Sequence, residues 1–192
     1  MKTRNSRASF FKVLPCETMQ RSFVHRFAVC LLLSWLYAVC SQIIIPLPFN
    51  FVPISMQPLP VLFFSLVIGW PAVHAYILYI VQGACGAPFF SGMLGGMTRL
   101  MGPTGGYIMG FGIAALFLAS IRNYKKNSLF ITLVKIETAN IMIFACGLVQ
   151  LSVFVPGHLL LAAGLYPFII GDFFVKTVII LSSIKALHFL RK

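Results

Sequence analysis

The chain has 192 residues, of which 59% are hydrophobic and 9% charged. A soluble domain is usually about 25% charged and 45–50% apolar. That contrast excludes a disordered chain, a coiled coil, a disulfide-built secreted module and an ordinary cytosolic domain, and it leaves a polytopic membrane protein. No Lys, Arg, Asp or Glu occurs from Phe27 to Thr98, from Leu100 to Ile121, or from Thr138 to Gly171. One span needs roughly 20 apolar residues, so the longest of these gaps holds several.

Residues 1–23 form a basic leader with Lys2, Arg4, Arg7, Lys12 and Arg21, read as a cytoplasmic tail. The first span is expected over Val24–Ile45. The segment 45–60 carries Pro46, Pro48, Pro53, Pro58 and Pro60. Prolines this dense remove backbone donors and forbid a regular helix, so an irregular loop folding over or into the bundle is expected. Short spans follow at Leu59–Gly69 and Ala72–Gln82, with Trp70-Pro71 as the turn between them. Residues 83–106 are glycine-rich. The fourth span is placed at Thr104–Ile121, with Thr104 as its cap, the fifth at Ser128–Leu151 and the sixth at Gly171–Phe189. Pro156 and Pro167 bracket a last loop. Residues 24–192 thus read as a single all-α membrane domain of six helices.

Lys and Arg cluster in the leader, at Arg122, Lys125 and Lys126, and at Lys185, Arg191 and Lys192. Retention of such clusters on the cytoplasmic side places both termini there, in a multi-pass protein of the cell membrane. The same distribution argues against nucleic acid, because the net charge of +12 forms no basic stripe interleaved with aromatics. Loops 46–58, 83–103 and 152–170 then all fall on the outer face. The five cysteines are scattered, with no C-x-x-C, and neither a metal nor a structural disulfide is expected.

Asp172 and Lys176 lie one helical turn apart on one face, beside those outer loops. Charge inside a span is costly. The pair either neutralises itself for insertion or serves a ligand, the carboxylate accepting N–H groups and the ammonium meeting a carbonyl or an anion. Arg99 is the one Arg or Lys in the outer loops; it either snorkels to lipid phosphate or captures a carboxylate. Gln57 is expected to touch ligand, whereas Gln82, Asn140 and Gln150 suit bonds between helices. GPTGGY (102–107) lacks the G-K-[ST] ending of a phosphate loop. His74 and His158 stand alone and Glu137 has no partner carboxylate, so the parts of an intramembrane protease are missing. Cys30, Ser34 and Ala38 recur every four residues, a small-residue face for packing inside the bundle or for docking another membrane subunit.

Taken together, IPLPFNFVPISMQ (45–57), GACGAPFF (83–90), Gly95-Gly96, GPTGGY with IMGF (102–111) and PFIIGDFFVK (167–176) resemble the BioY family, the biotin-capturing S components of energy-coupling-factor transporters. The resemblance covers about Ile43–Lys176. It implies a six-helix S-component bundle, no enzymatic step, no cofactor, and uptake with a transmembrane coupling subunit and ATPase subunits. Carried over by position, Asp172 is the acid for the ureido ring and Lys176 its neighbour. Family copies show G-D-x-x-K where this chain reads G-D-x-x-x-K, and both spacings keep one helix face. For such a ligand Gln57, Phe90, Gly95, Arg99, Thr104 and Tyr107 are expected as further substrate-binding positions, and the row Cys30, Ser34 and Ala38 matches the family's small-residue docking face. The alternatives are an S component for a different vitamin and an intramembrane enzyme.

Overall fold

The computed structural model describes residues 23–45, 52–122, 128–169 and 175–190. Most of the basic leader, the centre of the proline segment, Lys125, Lys126, Arg191, Lys192 and Asp172 lie outside these residues. Helix α1 (Phe23–Gln42) leads into a two-stranded antiparallel pair, β1 (Ile44–Ile45) and β2 (Ile54–Ser55). Helices α2 (Pro58–Val67), α3 (Trp70–Ala84), α4 (Met97–Met101), α5 (Gly105–Ser120) and α6 (Leu129–Leu151) follow. Short helices α7 (Gly157–Gly164) and α8 (Tyr166–Phe168) precede α9 (Thr177–Leu190).

Helix α5 sits at the centre, packed against α6, α2 and α3; α1 flanks α3, and α9 closes against α6 and α2. The α5–α6 approach depends on missing side chains. A Cβ at Gly110 would stand 3.0 Å from the Ile143 backbone, and one at Gly106 2.5 Å from the Cys146 carbonyl oxygen. The outer faces are as greasy as the inner ones. On α1, Leu32, Trp35 and Val39 are exposed while Cys30, Ser34, Tyr37 and Ser41 are buried. A helix apolar all round, with its small polar residues inside, belongs among lipids. Helices α1 and α6 have the length and hydropathy of membrane spans; the other described helices are shorter.

Several boundaries differ from the sequence expectation for identifiable reasons. Span one stops at Gln42 rather than Ile45, because Ile44 and Ile45 pair with Ser55 and Ile54. The proline segment is therefore partly ordered as a strand pair. Trp70-Pro71 is not the turn but the first turn of α3, where proline is tolerated. The turn itself is made at Gly69, whose φ of +82° suits glycine. The segment 152–170 is largely helical, since Pro156 caps α7 and Pro167 sits in the first turn of α8. Within the glycine-rich stretch, α4 forms a short helix.

Hydrogen bonds assign the two ends of the bundle. At the loop-rich end, the Gln42 amide donates to the carbonyls of Phe89 and Phe90, and Met93 N–H donates back to Gln42 Oε1 at 2.8 Å. Gln150 Nε2 donates there to the Leu100 and Gly102 carbonyls at 2.9 and 2.7 Å. At the opposite end, Arg122 Nη1 donates to the carbonyls of Val67 and Ile68. Lys135 Nζ donates to the Ile121 carbonyl at 2.7 Å.

Candidate functional site

A narrow hollow of about 40 Å3 opens beneath the loop-rich end between β2, α2, α5, α6, α8 and Lys176, just before α9. One wall is aromatic: Tyr107, Phe144 and Phe168 pack with ring centroids 5.9–6.2 Å apart. Tyr107 Oη donates to the Gly164 carbonyl at 2.8 Å, so α7 holds that ring in place. Gly147 makes room for it, because a Cβ there would stand 2.3 Å from Tyr107 Cε1.

The polar side of the hollow is assembled from distant segments. Lys176, 4% exposed, donates from Nζ to the Ser55 carbonyl at 2.5 Å, tying α9 to β2. Gln57 occupies the N-cap position of α2 but caps nothing with its side chain. Its Nε2 donates to Tyr76 Oη at 3.2 Å, and Tyr76 donates on to the Ile108 carbonyl at 2.8 Å. Asn140 enters from α6, its Nδ2 donating to Glu137 Oε2 at 3.3 Å. Glu137 Oε1 accepts from Thr177 Oγ1 at 2.8 Å, which ties α6 to α9 one residue beyond Lys176.

Of the expected binding positions, Gln57, Thr104, Tyr107 and Lys176 come together in this lining. Thr104 is a corrected case. It stands at the N-cap of α5 but in a helical conformation, and its hydroxyl makes no cap hydrogen bond. That hydroxyl is buried in the wall without a partner among the described residues. Ser128 is the residue that caps, accepting from Ile131 N–H at 3.3 Å.

Phe90 is fully buried but does not line the hollow. It meets Tyr79 edge to face at 5.6 Å and covers Gly83, so it supports the loop whose next residue, Ser91, reaches the lining. Gly95 is likewise a backing position, since a Cβ there would lie 2.3 Å from the Ala87 carbonyl oxygen. Arg99, on α4, is half-buried and outside the lining; its Nε has no partner among the described residues, and burial lowers its pKa. Asp172 lies outside the described residues.

Cys30, Ser34 and Ala38 are turned into the bundle. Cys30 Sγ donates to the Pro71 carbonyl at 3.5 Å, and Ser34 Oγ accepts from Gln82 at 3.1 Å. The expected docking row is therefore corrected: α3 occupies it, because small side chains let the two helices approach.

Sequence reasoning missed Asn140, Phe144 and Phe168 as lining residues. The signal for the first two was present. Ile136, Asn140, Ile143, Phe144 and Gly147 fall on one face of α6 at spacings of three and four. Phe168 was hidden in a segment expected to be loop.

The architecture defines a polytopic membrane protein with a partly open, mostly apolar hollow between its helices. The BioY family profile matches residues 8–192, and the chain belongs to that family. It is similar to the probable biotin transporter BioY of Pyrococcus horikoshii, 33% identical over 63% of this chain and 72% of the relative. It is also similar to the biotin transporter BioY of Thermotoga maritima, 30% identical over 73% of this chain and 84% of the relative. The biotin transporter BioY2 of Lactococcus lactis subsp. cremoris is 26% identical over 91% and 98%. The crystal structure of the S component for biotin from an ECF-type ABC transporter superposes with a TM-score of 0.77, covering 91% of this chain and 95% of that one at 18% identity. The fold is thus shared with that S component.

Proposed function

We propose that the chain takes up biotin across the cell membrane as the substrate-capturing component of an energy-coupling-factor transporter. One observation carries this reading: in a BioY-family bundle, a hollow joins an aromatic wall to Gln57 and Lys176, directly beneath the loop-rich end. Biotin has the complementary chemistry, with a ureido ring of two N–H donors and a carbonyl, an apolar thiophane and chain, and an anionic tail. Apolar walls with a few placed polar groups are what such a ligand requires.

Tyr107, Phe144 and Phe168 hold the apolar part. Lys176, already oriented by the Ser55 carbonyl, meets the ureido oxygen. Asp172, four positions before Lys176 in sequence, accepts a ureido N–H. Arg99, half-buried at the loop-rich end, takes the carboxylate tail, and desolvation strengthens that pairing by removing competing water. Gly95 and Phe90 shape the loop over the site.

No bond is made or broken in this scheme. The ligand is held from one side and released to the other as the bundle changes access, driven by a transmembrane coupling subunit and ATPase subunits. Both termini lie in the cytoplasm with the leader 1–23, and residues 24–192 form one membrane domain with the hollow facing outward.

The test is equilibrium binding of biotin to purified protein in detergent, for wild type, Asp172→Asn and Lys176→Met, with riboflavin and thiamine as competitors. Tight binding in wild type, lost in both variants and not displaced by the other vitamins, is expected. Displacement by another vitamin at equal concentration would assign the hollow to a different cargo, and unaltered binding in both variants would refute the residue assignment.

A further inference from the structure

The mechanism outlined above makes no use of Glu137. This carboxylate lies within the apolar run of α6, eight residues beyond its first residue, where charge is expensive and normally has a function. It accepts two hydrogen bonds among the described residues, from Thr177 on α9 and from Asn140 on its own helix. The second bond has a consequence for the hollow. Asn140 is 2% exposed and lines it, and the amide nitrogen is engaged with Glu137. A carboxylate can only accept, so it must meet the NH2 group of the amide and never its oxygen. The side-chain carbonyl has no donor among the described residues and is available to a molecule in the hollow.

Gln57 repeats the pattern on the opposite wall. Its Nε2 is engaged with Tyr76, which leaves Oε1 as the atom without a donor among the described residues. Each amide nitrogen has one of its two N–H groups engaged, and each amide oxygen remains available to accept from a bound molecule. A site built this way selects for N–H groups, because a ligand lacking one leaves a buried acceptor unpaired.

We propose that Glu137 is a positioning residue: it locks the Asn140 amide with its carbonyl toward the hollow, where that oxygen accepts a ureido N–H. The inference rests on the biotin reading given above and adds to it the residue that sets the acceptor's orientation. The competing role, a plain staple between α6 and α9 through Thr177, makes different predictions.

The test measures binding of biotin and of its two mono-N-methyl ureido derivatives to the full chain in detergent. Wild type should bind the derivative blocked at the N–H facing Asn140 about tenfold more weakly than biotin, the scale of one lost buried hydrogen bond. Glu137→Leu and Asn140→Ala should each weaken biotin by about tenfold and shrink that discrimination to about twofold. The double variant should be no worse than either single one, as expected when one residue acts through the other. Glu137→Gln keeps an oxygen for the Asn140 donor and should restore the discrimination. Thr177→Val should lower thermal stability and leave the discrimination intact.

Additive losses in the double variant, or a Thr177→Val variant that reproduces the Glu137→Leu loss, would overturn the proposal in favour of the staple. Should Glu137→Leu not fold, Asn140→Ala still decides: unaltered discrimination there overturns the proposal. Absence of biotin binding in wild type is a separate outcome, recognised before any variant is made, and it would refute the biotin reading together with this inference.

Discussion

Lys176 and Ser55 are 121 positions apart in sequence, yet the lysine ammonium lies 2.5 Å from the serine carbonyl oxygen. The bond joins the residue just before α9 to the strand that enters α2, so a charged group helps to close one wall of the hollow. A buried ammonium needs such acceptors, since removing one partner of a buried charged hydrogen bond leaves the desolvation cost unmet. Lys176→Met deletes the charge and the tie together. Biotin affinity should fall by more than about tenfold, with a loss of about 1–3 kcal/mol in stability. Binding calorimetry and a thermal scan on the same preparation separate the two effects.

The aromatic wall gives a second expectation. Gly147 leaves space for Tyr107, and an added methyl would meet the ring edge at 2.3 Å. Gly147→Ala should push Tyr107 away from Phe144 and Phe168 and break its bond to the Gly164 carbonyl. Overpacking of this kind costs about 1–3 kcal/mol. A lower melting temperature together with weaker biotin binding is expected, and a variant of unchanged stability would show that the helices relax apart at no cost.

Gln57 can be tested by a nearly isosteric change. In Gln57→Leu the Tyr76 hydroxyl keeps its Ile108 acceptor, so the α3–α5 link at 2.8 Å survives. What disappears is the amide oxygen at the hollow. With the two ureido N–H groups taken by Asp172 and Asn140, this oxygen adds only polarity to the wall, so a loss of about threefold or less is expected, with melting temperature nearly unchanged.

The small-residue row on α1 is the fourth case. Ser34 is fully buried and accepts from Gln82. Ser34→Leu should destabilise the isolated protein by about 1–3 kcal/mol through overpacking. If the row instead faced a partner subunit, the isolated protein would melt at its normal temperature and only assembly would suffer. Thermal scans without any partner present decide between these outcomes.

The uncharged runs were sufficient to place most helices. Leu100–Ile121 contains α5, and the span expected at Ser128–Leu151 matches α6 to within one residue at its start although Lys135 and Glu137 interrupt its apolar run. The site was legible where a residue's chemistry was at odds with its surroundings: Lys176 in a span and Gln57 among prolines both reach the lining. It was illegible where direction mattered. Small residues every fourth position say that something comes close to α1, but not that the neighbour is α3. Prolines 156 and 167 were taken for breakers although the first turn of a helix accommodates proline without losing a hydrogen bond. Asn140 looked like a bond between helices because the amide group serves both uses; its place on the wall depends on how α6 is rotated against α9.

Arg122 has two roles that ordinary topology engineering treats as one. Its guanidinium caps the final carbonyls of α2 at the Gly69 turn, and a Cβ on that glycine would stand 2.9 Å from the arginine Cδ. The same cation belongs to the cluster from which orientation in the bilayer is inferred. Charge swaps in this loop therefore disturb a latch as well as a signpost. An inverted or misassembled product after such a swap cannot be credited to the signpost alone until an Arg122→Lys control, which keeps the charge and loses the planar fork, has been compared with it.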